Sequence, residues 1–212
     1  MGNLVHHLPR KEAHVKDFAF ALNVFGACLG SLTACLYALR VWQKKECANL
    51  ATWSIIFILD FVGLYLTYVT GNHEPYIQIG WCIAVTLIVA AAWIRKGDWL
   101  WKGTDTVVLV TCAMSVLVWV TSKEVFLSLF GYLAAVYGSS IPQARDYTSD
   151  PHAAHKSAWM WQLSLIAILF PISAKLLDGK YGIEHTLVYV ALFVLNIIMA
   201  ALCMRRTTRH TF

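Results

Sequence analysis

Charge is what this sequence has least of. Asp, Glu, Lys and Arg make up 14% of its 212 residues, where a soluble domain carries roughly 25%. That shortage argues against an ordinary soluble domain. Cysteine pairing patterns are missing too. The six cysteines, at positions 28, 35, 47, 82, 112 and 203, contain no CxxC pair, and all but Cys47 fall in apolar stretches. Cysteine there behaves as a small hydrophobe, so neither disulfides nor a metal centre is expected. GxSxG, HExxH, the P-loop and GxGxxG are all absent, and no nucleophile stands beside a base. No enzymatic activity and no cofactor is expected. The polar, basic start from Met1 to Asp17 lacks the pattern of a cleavable signal. Gly2 lacks the Ser or Thr that myristoylation requires, because position 6 is His6.

What is present is apolar residue in long blocks. Hydrophobic residues reach 58%, the mean hydropathy is +0.59, and several blocks approach the ~20 residues needed to cross a bilayer. The pattern predicts an all-α, multi-pass membrane protein with seven spans, near 18–41, 51–70, 76–94, 104–121, 125–143, 158–177 and 185–204. The short connections predict that sequential helices are antiparallel neighbours. The net charge of +5 reads as loop charge that sets topology, not as a nucleic-acid surface. No nucleic-acid partner is expected; the bilayer and a small solute are.

Of the 17 Lys and Arg residues, eleven fall on the side that carries Arg40, Lys44, Lys45, Arg145 and Arg205. The positive-inside rule places that side in the cytoplasm, with the N-terminus outside and the C-terminus within, most naturally in a cell (inner) membrane. Trp42, Trp53, Trp99, Trp101, Trp159 and Trp161 would form an inner aromatic belt, and Trp81 and Trp119 an outer one.

The stretch Gly131 to Arg145 organises the rest. Its residues turn small (Ala134, Ala135, Gly138, Ser139, Ser140) before Pro142-Gln143 and a charged turn. Small residues let membrane helices approach closely, either within one chain or in a homo-oligomer. A weaker copy lies upstream: Gly26-xxx-Gly30, Tyr37, Arg40, a charged turn, then Trp53. Spans 1–3 and 5–7 therefore read as two copies, and span 4 as a linker. An odd linker makes the repeats parallel. The expected division is a tail over 1–17, a first triple-helix bundle over 18–95, a linker helix over 96–124, a second bundle over 125–204 and a tail over 205–212.

Four stretches carry a family likeness: Ala48-Asn49-Leu50-Ala51-Thr52-Trp53-Ser54, Gly97-Asp98-Trp99, Ile141-Pro142-Gln143, and Asp150-Pro151 with Trp159. In this order the chain resembles the PQ-loop and SWEET superfamily, most closely its prokaryotic seven-helix members, over most of residues 18–204. The resemblance implies a 3+1+3 fold of parallel triple-helix bundles and alternating access to a central cavity. The chain departs from SWEETs in having no proline in spans 1 and 2, no asparagine in span 3, and Leu39-Arg40 where the first copy would carry Pro-Gln.

Asp60 sits mid-span, where a carboxyl costs about 2.5–3.5 kcal/mol and so faces protein or water. Trp53, Asp60, Gly63 and Thr67 share one helical face. That face offers an aromatic platform, an acid, a gap and a hydroxyl. Asp60 is a candidate substrate ligand and proton carrier; the plainer reading is a structural acid bonded to a neighbouring helix. Asn196 fits either substrate contact or an interhelix bond. Tyr132 and Tyr137 fit either a cavity wall or packing with a satisfied hydroxyl. Pro142 and Pro171 read as hinges, with Gln143 bonding a carbonyl that Pro142 frees, or as prolines tolerated at helix ends. His152 and His155, one turn apart in a loop, and His6-His7 lack a third metal ligand.

The expected function is alternating-access transport of a small polar solute, with Asp60 coupling movement to protons. The alternative is a ligand-binding receptor or a lipid-handling protein on the same scaffold, without net solute transport.

Overall fold

In a computed structural model, described over residues 10–69, 75–95, 102–122, 124–178 and 183–205, the protein is all-helical. Seven helices lie among the described residues: α1 (Arg10–Trp42), α2 (Leu50–Val69), α3 (Pro75–Ile94), α4 (Gly103–Thr121), α5 (Val125–Ser149), α6 (Pro151–Asp178) and α7 (Ile183–Met204). Three contain segments long and apolar enough to cross a membrane, at His14–Trp42, Gly103–Thr121 and Pro151–Leu177. Leu50–Tyr65, Ile79–Ile94 and Tyr189–Met204 are shorter apolar helices. His6-His7, Gly97-Asp98-Trp99 and Trp101 lie outside the described residues, as does the side chain of Thr67.

The elements follow the apolar blocks, with three differences. Residues 10–17, expected in a tail, are the first turns of α1. α5 does not end at Pro142 but runs on to Ser149, with the proline inside it. α6 begins seven residues before the expected 158. Its start has a local cause: Asp150 Oδ1 accepts the backbone N–H groups of His152 and Ala153. Pro151 follows as the first helical residue, where its missing N–H costs nothing. His152 and His155 therefore stand exposed on the first turns of a helix, not in a loop.

Neighbours along the chain are not always neighbours in space. Among the described residues α1 packs closely on α3 and α6 but makes no close backbone approach to α2, which it meets through side chains, the Tyr37 ring against that of Trp53. α3 packs on α2, α6 on α7, and α7 on α5, while α2 crosses to α5. α4 lies against α5 and the edge of α2, apart from α3. Short loops thus do not force the two adjacencies α1/α2 and α3/α4. The helices do alternate in direction, because one end of the molecule collects the C-termini of α1, α3, α5 and α7 with the N-termini of α2, α4 and α6. Arg95 at the end of α3 lies 4.5 Å over the Trp42 ring at the end of α1. Arg145 of α5 meets Asp105 in the first turn of α4 at 2.6 Å. Gln162 in the first half of α6 meets Met204 at the end of α7.

The glycines of α1 and α5 face other helices of the same chain. A Cβ on Gly26 would lie 2.7 Å from both the Ala167 carbonyl oxygen and Pro171 Cδ. Ala167 is the residue whose carbonyl Pro171 leaves without its helical donor, and Gly26 lets α1 come close to α6 over that proline. Gly30 makes room for the Trp81 ring of α3. On α5, Gly131 lies against the backbone of Ser115 and Trp119, and Gly138 against Cys112 Sγ, which donates to Ala135 O. Trp53 and Trp161, expected in an interfacial belt, are core residues instead.

Gly26→Ala forces a methyl into backbone and should cost about 1–3 kcal/mol. Thermal unfolding of the purified protein in detergent reads the loss. Gly103→Ala, with nothing within 4 Å of its Cβ, should leave the midpoint unchanged.

Candidate functional site

The sequence-predicted residues divide into two levels along the helix bundle. The lower level begins where α1 stops. Lys44 adopts φ 57°, Lys45 N–H donates to Arg40 O, and Lys44 N–H donates to Val41 O. This is a Schellman ending with lysine in the left-handed position that glycine usually fills. It turns the chain back, so that Glu46 returns toward Arg40.

Glu46 is the residue that sequence reasoning missed. Its side chain is 0% exposed. Its Oε2 accepts from Ser157 Oγ at 2.8 Å and its Oε1 from Trp159 Nε1 at 2.6 Å, both on α6. Arg40 Nε approaches Oε1 at 2.7 Å. The approach is off the N–H axis, so it is a charge contact more than an aligned hydrogen bond. The Arg40 guanidinium also lies 5.3 Å from the centre of the Trp159 ring. The one sequence signal for this group was an acid in an otherwise basic loop.

Beside it, α5 joins the start of α2. Gln143 is buried. Its Oε1 accepts from Asn49 N–H at 3.1 Å, and its own N–H donates to Thr52 Oγ1 at 3.1 Å. Gln143 therefore bonds across to α2, not to the carbonyl that Pro142 frees, as the sequence suggested. Asn49 also caps α2, accepting from Thr52 N–H, and donates to Asp146 Oδ2 at 2.6 Å. Tyr147 links the two groups: Trp161 Nε1 donates to its hydroxyl at 3.1 Å, and that hydroxyl also meets Ser157 and Gln143.

The upper level holds the predicted solute ligands. Trp53 is 6% exposed, and its ring lies 5.5 Å from that of Tyr37, whose hydroxyl donates to Cys47 O. Trp53 Nε1 meets the Tyr37 hydroxyl, though without an aligned hydrogen bond. Asp60 is half-buried two turns further along α2, about 10 Å on by helical rise. It interacts electrostatically with Tyr132 of α5 and Cys82 of α3. Tyr132 also interacts with Tyr189 of α7, and its ring lies 4.9 Å from Trp119. Asp60 and Tyr132 are thus brought together. Asn196 is 7% exposed. Its Nδ2 donates to Leu192 O of its own helix, while its buried Oδ1 has no partner among the described residues. The Tyr137 hydroxyl donates to Ala191 O of α7 at 2.7 Å. Among the described residues no three His, Cys, Asp or Glu side chains gather as a metal set.

These features define a class: a helical protein with segments apolar enough to cross a membrane, polar joints at one end and a carboxyl between helices. The chain matches no protein-family model, no curated protein and no solved structure. The PQ-loop and SWEET likeness accordingly rests on its own sequence pattern.

Thr52→Val removes the acceptor of a buried N–H without changing side-chain shape. An unsatisfied buried group costs about 1–3 kcal/mol, so a drop in chemical-denaturation stability of that size is expected, with helical circular dichroism unchanged.

Proposed function

We propose that the chain is a multi-pass membrane transporter that moves a small polar solute by alternating access between two triple-helix bundles, α1–α3 and α5–α7. The order of packing supports the repeat. The first three helices pack as α1, α3, α2 and the last three as α5, α7, α6, while α1 meets α6 and α5 meets α2. Exchanging α1 with α5, α2 with α6 and α3 with α7 maps these contacts onto one another, as a parallel repeat requires, while the smaller α5–α6 contact has no α1–α2 counterpart. The end joints follow the same exchange: Gln143 of α5 reaches the start of α2, and Arg40 of α1 reaches the first turns of α6 through Glu46 and Trp159. On this reading the Arg40–Glu46 pair does in the first copy what Pro142-Gln143 does in the second.

The observation that carries the functional reading is Asp60 of α2 beside Tyr132 of α5, at the crossing of the two bundles. A carboxyl between two bodies that move apart changes its surroundings in each cycle, which is what coupling to protons needs. Trp53 and Asn196 would supply solute contacts between this acid and the end joints. The buried Oδ1 of Asn196 offers an unused acceptor. Pro142 and Pro171 would be the hinges. The N-terminus would lie outside and the Arg40, Lys44 and Arg145 end in the cytoplasm, as the lysine and arginine bias favours.

A thermal-shift screen against sugars, amino acids, nucleosides and vitamins should first yield a stabilising ligand, since a ligand bound to the folded state raises the apparent midpoint. Reconstituted vesicles should then take up that solute faster under an imposed pH gradient. Asp60→Asn should abolish the pH dependence with the unfolding midpoint retained. Uptake by the variant with the original pH profile would refute proton coupling. Binding with no flux in the parent protein would refute transport in favour of a receptor.

A further inference from the structure

The end joints pose a question that the solute reading leaves open: what holds this face of the molecule shut. The Gln143 joint buries neutral groups and leaves its one carboxylate, Asp146, partly exposed at the edge. The Glu46 joint is different, because it places a fully covered carboxylate on the seam between the α1–α2 loop and α6. Burial of a charge is tolerated only where it is paired and hydrogen-bonded. Glu46 has both kinds of partner, and they belong to different bodies. Arg40 travels with Glu46, since both flank the same Schellman turn. Ser157 and Trp159 belong to α6. Separation of α6 from the loop would therefore remove two hydrogen bonds and leave the charge pair intact. Arg40, whose side chain is 42% exposed, would keep the carboxylate neutralised when water reached it. An acid with one resident counter-ion and two detachable donors is built to open and close without being stranded.

We propose that Glu46 is the gating acid of this face: its bonds to Ser157 and Trp159 close the seam, and their release opens a path to the groups beneath. The inference rests on the alternating-access reading for its purpose, but not for its test. Beneath the seam lies Cys203 of α7, 1% exposed, close enough to interact with both Glu46 and Tyr147. Its thiol is a reporter already in place.

The experiment uses the full-length chain with its other five cysteines replaced by serine or alanine, and N-ethylmaleimide as the probe. Glu46→Gln keeps the shape and removes the charge that strengthens both hydrogen bonds. It should label Cys203 about tenfold faster than the parent. Trp159→Phe keeps the ring under Arg40 and removes the N–H donor; it should label about threefold faster. Arg145→Gln breaks the Asp105 pair at the same end but off the seam, and should label at the parent rate. Unchanged labelling in both Glu46→Gln and Trp159→Phe would overturn the proposal, as would equal acceleration by Arg145→Gln, which would mean general loosening. Should Glu46→Gln fail to fold, Trp159→Phe decides alone. Labelling needs no solute. Seam variants that label faster in a protein showing no flux would sink the transport reading and keep the gate. Flux with unresponsive labelling would sink the gate alone.

Discussion

A backbone N–H with no water to turn to must find an acceptor in the protein, and the bond from Gln143 to Thr52 meets that constraint across two bodies. A proline inside α5 disturbs the regular ladder of bonds around it. The groups near it are then available to another helix, and α2 supplies the partners. Thr52 gives an acceptor, Asn49 gives a donor to the Gln143 side chain, and Asn49 also caps its own helix. Because the cap and the joint use the same residues, the start of α2 is ordered by the end of α5. The first and last three helices also meet where α1 packs on α6, with Gly26 against Ala167 and Pro171.

The Glu46 group meets the same constraint with charge. Its donors come from α6 and its counter-ion from the end of α1, so the covered carboxylate ties the α1–α2 turn to a helix remote in sequence. Hydroxyls elsewhere solve the problem locally. Thr33 and Thr86 each donate to the carbonyl four residues back in their own helices, which satisfies them without specifying a neighbour. The contrast separates groups that only need to be quiet in an apolar layer from groups that choose partners. Asn196 is the exception, satisfied on one side and open on the other.

Much of the fold was legible before any coordinates. Apolar block length located all seven helices, since each must supply its own backbone partners over the thickness it covers. The errors fall where local chemistry outweighs hydropathy. Asp150-Pro151 is a cap followed by a first-turn proline, a start signal readable in the sequence but hidden by the polar residues behind it. Pro142 looked like a terminus because prolines often end helices, yet the helix continues through it. Trp53 and Trp161 looked interfacial by position, although both side chains are buried. Of the candidate site, Asp60 and Asn196 were visible as polar residues in apolar runs. Glu46 was not, because an acid in a charged turn looks like any solvated loop residue.

The sequence alone determined how many apolar segments there are, where five of them begin to within two residues, and which polar residues lie inside them. Those properties follow from solvation, which depends on residue type and near neighbours along the chain. Tertiary structure alone decided that α1 turns from α2 toward α3 and α6, that Gly26 meets Pro171 while Gly131 and Gly138 meet α4, and that Glu46 is buried on a seam. Those outcomes depend on which surfaces meet. Apolar helices of similar length offer nearly equal hydrophobic gain in many arrangements. The choice among them comes from a few close approaches and directional bonds between residues roughly a hundred positions apart, and spacing along one strand of sequence does not encode that.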